Sequence, residues 1–60
     1  MASDETRNVL QLFDIAVTSL ETAIDDRAPM AVVMKWDHEV AGRTREVLAL
    51  LDRLRSRRIA

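Results

Sequence analysis

The chain has 60 residues, 48% apolar and 32% charged, with one glycine, one proline, no cysteine and a formal net charge of −1. A chain this short forms at most one small domain and buries only about 60% of its unfolded surface, so it needs a disulfide, a metal or a partner. The missing cysteine excludes the first and any cysteine-based zinc site, the apolar content excludes a disordered tail, and association is the remedy left.

The opening stretch MASDETRN carries an acidic pair and no apolar run, so it does not read as a secretory signal. The longest uninterrupted apolar runs, such as 30–34, are far below the roughly 20 residues of a membrane span. These features give the expectation of a cytoplasmic protein without a membrane segment.

Ser3 is a natural N-cap, and Asp4 and Glu5 follow where the helix dipole favours negative charge. Leu10, Phe13, Val17, Leu20 and Ile24 then alternate by three and four, the spacing of a heptad seam. Val9, Ala16 and Ala23 widen the apolar arc on one flank, and Leu12 extends it beyond what one partner helix needs. The stretch DDRAP breaks the pattern, because proline disfavours helix at Ala28 and suits the first position of a new helix.

The second segment repeats the alternation through Val33, Trp36, Val40, Arg43, Val47, Leu50 and Leu54. Its phase is unbroken across Gly42, so one long helix is expected there rather than two. The predicted fold is all-α: an antiparallel hairpin with helices over residues 4–26 and 29–57, a single domain spanning 1–60. Its register sets Ile24 beside Val33, Val17 beside Val40 and Leu10 beside Val47. The same register places Asp14 alongside Arg43, a pair that would mark register more than add stability.

A second apolar set suggests two such hairpins joined as a homodimeric four-helix bundle. On the second helix it consists of Met30, Met34, Ala41 and Leu48; on the first, of Leu12, Ala16 and Ala23. With Trp36, a residue type frequent at binding hot spots, Leu12, Ala16, Met30, Met34, Ala41 and Leu48 are the expected partner or dimer interface.

Charge is split between the halves. Residues 1–26 hold six acids (Asp4, Glu5, Asp14, Glu21, Asp25, Asp26) against Arg7 alone, giving −5; residues 27–60 hold eight bases against four acids, giving +4. Halves of opposite sign attract when folded together and disfavour parallel self-pairing of like halves. Arg53, Arg55, Arg57 and Arg58 are the candidate contacts for phosphates or an acidic partner, although no aromatic residues interleave them. Their structural alternative is to complement the C-terminal dipole and the acidic start of the first helix.

Catalytic, cofactor and metal sites are not expected. The positions three and four from His38 are Met34, Lys35, Ala41 and Gly42, none of which completes a metal site with it. One glycine cannot build a phosphate-binding loop, and no cysteine or tyrosine is present to act as a nucleophile. At the level of architecture the hairpin resembles two kinds of small helical protein: a plasmid-encoded RNA-binding dimer that forms a four-helix bundle, and the short co-chaperones of type III secretion. The likeness carries over no residue. The expectation is a non-enzymatic adaptor, chaperone or regulator that acts by helix packing. The alternative is a nucleic-acid-binding dimer that uses the arginine tail.

Overall fold

Ser3 starts the first helix as the sequence predicts, with an extended backbone (φ −68°, ψ 162°) and a side-chain oxygen that accepts the Thr6 amide at 3.1 Å. A computed structural model, describing residues 3–59, continues from this cap into α1 (Asp4–Asp25) and then α2 (Met30–Ile59). The two helices pack against each other as an antiparallel pair measuring 47 × 19 × 12 Å over its Cα atoms. No helix among the described residues is long and apolar enough to cross a membrane.

The turn is built by backbone geometry. Arg27 adopts φ +55°, its N–H donates to the Ile24 carbonyl at 3.1 Å, and the Ala28 N–H donates to the Ala23 carbonyl at 2.9 Å. This pair of bonds is a Schellman cap, which usually employs glycine at the left-handed position. Pro29 then holds the chain out of helix, and its carbonyl accepts the Val33 amide at 3.2 Å to open α2. Gly42 lies inside α2 without interrupting it, so the hairpin has two helices and not three.

Ala16, Ala23 and Leu50 are the buried apolar residues of the seam, at 1%, 6% and 2% exposure. Around them lie half-buried Val9, Leu12, Phe13 and Leu20 from α1, and Val33, Trp36, Val40, Arg43 and Val47 from α2. The α2 seam is therefore the predicted one, except that Leu54 is exposed, level with the point where α1 begins.

The α1 seam differs from expectation. Leu10, Val17 and Ile24 are 47%, 39% and 55% exposed, and the column Val9–Ala16–Ala23 faces α2 in their place. At about 100° per residue this is a rotation of roughly 80° about the helix axis. Its cause is size. The α2 seam carries Trp36, Arg43 and Leu50, and helices approach closely only where large side chains meet small ones. Ala16 and Ala23 provide that room, and a row of Leu10, Val17 and Ile24 would hold the axes apart.

The rotation corrects two expectations. Asp14 is turned to the outer side of α1 and does not meet Arg43. Leu12 and Ala16, expected at an interface with a second chain, are taken up by the hairpin itself.

Candidate interaction surface

Arg43 shows how α2 keeps a charged residue in an apolar seam. Its guanidinium is held within its own helix by Glu39, four residues before, and Glu46, three residues after, each at 3.0 Å. The hydrogen bond to Glu46, then that to Glu39, raises its pKa above the ordinary guanidinium value, so it stays charged. The stem of an arginine can cover apolar surface while its head is solvated, which fits its half-buried state.

One ion pair among the described residues joins the two helices, between Arg53 and Glu5. It fits the predicted register, in which Leu10 lies beside Val47. Of the other tail arginines, Arg55 approaches Asp52 at 3.7 Å, and Arg57 and Arg58 occupy the last turn of α2, where positive charge complements the helix dipole. The acidic first turn of α1 and the basic end of α2 thus lie together. Pairs this exposed contribute about 0–1 kcal/mol.

Two antiparallel helices make a slab with two broad faces and two narrow edges. The flank that follows each seam in the sense of helical rotation falls on the same broad face. On that face stand Leu10, Val17 and Ile24 of α1, backed by half-buried Phe13 and Leu20, with Val33, Val40 and Leu51 of α2 beside them. A shallow groove of about 230 Å³, lined by Val17, Leu20, Glu21, Ile24 and Asp25, runs along its α1 side.

The opposite broad face is mixed, with Ile15 and Val32 exposed among its polar groups. It carries Ser19 and Thr22 of α1 and the Glu39–Arg43–Glu46 and Glu5–Arg53 ion pairs. Near the turn an open cleft of about 430 Å³ is lined by Thr18, Ser19, Thr22, Ala23, Asp26, Ala28, Val32 and Trp36. The Lys35 ammonium sits 5.2 Å from the centre of the Trp36 ring. Trp36 is thus half-buried at the rim of this cleft, serving the hairpin seam with one part of its ring surface.

Met30, Met34, Ala41 and Leu48 are all exposed, on the narrow edge of α2 that points away from α1. They form one stripe, as expected, but the α1 residues assigned to share their face do not. Sequence reasoning missed the role of Leu10, Val17 and Ile24 as surface residues. The signal was the second heptad column, Val9–Ala16–Ala23, whose small members complement the large α2 seam. His38 is exposed, and among the described residues no group of three His, Asp or Glu side chains is placed to hold a metal ion. Compared with known proteins, the chain matches no family model, no curated protein and no solved structure.

Proposed function

We propose that the protein is a non-enzymatic interaction module that works by helix-to-helix packing as a homodimer, two hairpins forming a four-helix bundle. The observation that supports this most is its surface. The hairpin exposes 4887 Å², whereas a compact monomer of its mass exposes about 3,950 Å². The excess of roughly 900 Å² is close to the roughly 800 Å² that each partner contributes to a standard interface. The radius of gyration agrees: 14.2 Å against about 10 Å for a compact 60-residue domain.

The apolar inventory points the same way. Ala16, Ala23 and Leu50 are buried, while ten large apolar side chains among the described residues stay exposed. Two alanines and a leucine are a small core for a free-standing domain, and stability then has to come from association. In this reading the arginine tail serves the hairpin through Arg53 and the dipole of α2.

Thermal unfolding followed by circular dichroism tests the reading. Between about 1 and about 100 µM chain, a homodimer gains roughly 10 °C in its midpoint by mass action. A midpoint independent of concentration contradicts it.

A further inference from the structure

We infer that the second copy covers the broad face formed by Leu10, Val17, Ile24, Val33, Val40 and Leu51, and not the methionine stripe. This rests on the homodimer reading and adds which surface the copy takes and how it is oriented. The slab is thin, 12 Å in its least dimension, and the other two, 47 × 19 Å, give a face whose footprint matches the excess surface of the hairpin. The face presents apolar side chains along its length, with Glu21 and Asp25 at its rim, while the opposite face interrupts Ile15 and Val32 with ion pairs and hydroxyls. The methionine edge offers one helix's width, too little to remove an excess of that size.

Height and charge fix the orientation. A twofold axis parallel to the helices lays α1 of one copy antiparallel on α2 of the other, with both turns at the same end. The hairpin register then carries over between copies: Val17 is level with Val40 of the second copy, and Ile24 with its Val33. A twofold axis across the helices would instead set α1 on α1. Since residues 1–26 carry −5 and residues 27–60 carry +4, the first arrangement joins opposite charges and the second joins like ones.

Four variants test this by sedimentation equilibrium and cross-linking, with helicity measured alongside. Val17→Glu places a charge in both halves of the interface and should weaken the dimer roughly a hundredfold, with helicity lost on dilution and recovered at high concentration. Met34→Glu, on the narrow edge, should leave the dissociation constant within about threefold of the parent. A native dissociation constant in Val17→Glu together with a monomeric Met34→Glu would move the second copy to the methionine stripe and overturn the inference while leaving the homodimer standing. A parent that is monomeric throughout overturns the homodimer itself. The chain has no cysteine of its own, so oxidation reads orientation cleanly. Val17→Cys mixed with Val40→Cys should cross-link between copies, and Val17→Cys alone should not; a cross-link in Val17→Cys alone would mean α1 on α1.

Discussion

The two helices use their apolar residues in opposite ways. α2 turns Leu50 and much of Trp36 inward and leaves Met30, Met34 and Leu48 on its far edge. α1 turns its alanines inward and carries Leu10, Val17 and Ile24 on its flank. The difference follows from packing. When one helix brings bulk to a seam, its neighbour must bring space. The side chains best able to bury area are then displaced from the seam of the helix that supplies the space. In a larger domain another layer would cover them. In the reading proposed above, a second copy of the hairpin supplies that cover.

Variants at neighbouring positions sharpen this contrast. Leu50→Ala should cost the most, about 3 kcal/mol, because it leaves a cavity in the seam. Leu48→Ala, two residues away on the exposed edge, should stay within about 0.5 kcal/mol. Denaturant titration of both, at one chain concentration, checks the pair, and equal losses would break the assignment of faces. Ala16→Leu inverts the size rule by adding bulk where α1 supplies space, and should destabilise the hairpin by about 2 kcal/mol.

One further variant has an effect of the opposite sign. A methyl group on Gly42 would meet nothing closer than the Arg45 guanidinium at 3.9 Å, an ordinary contact. Gly42→Ala should therefore stabilise by about 1 kcal/mol through helix propensity alone. A destabilised Gly42→Ala would mean that the glycine marks a close approach by another chain.

Much of the fold is legible in the residues. Ser3 as N-cap, the break before Pro29 and the unbroken phase across Gly42 follow from local chemistry, and each holds in the structure. The left-handed Arg27 was not legible, because the glycine that usually announces such a cap is missing and only the following proline hints at it. The face of α1 was misread for a different reason. Hydrophobic periodicity finds the stripe that buries most area in isolation, whereas the seam is decided jointly with the partner's side-chain sizes. Leu10, Val17 and Ile24 gave the stronger stripe, and Val9, Ala16 and Ala23 the better fit to Trp36 and Leu50. Arg43 was expected to reach across to Asp14 for the same reason, and once α1 rotates, its own helix supplies Glu39 and Glu46.

The most direct test of the central claim, that this hairpin is half of a larger bundle, is the sedimentation-equilibrium mass of the unmodified chain at micromolar concentration. The account predicts twice the 6.8 kDa of one chain, with dissociation and loss of helicity coinciding on dilution. A fully helical species of 6.8 kDa at the same concentration would contradict it.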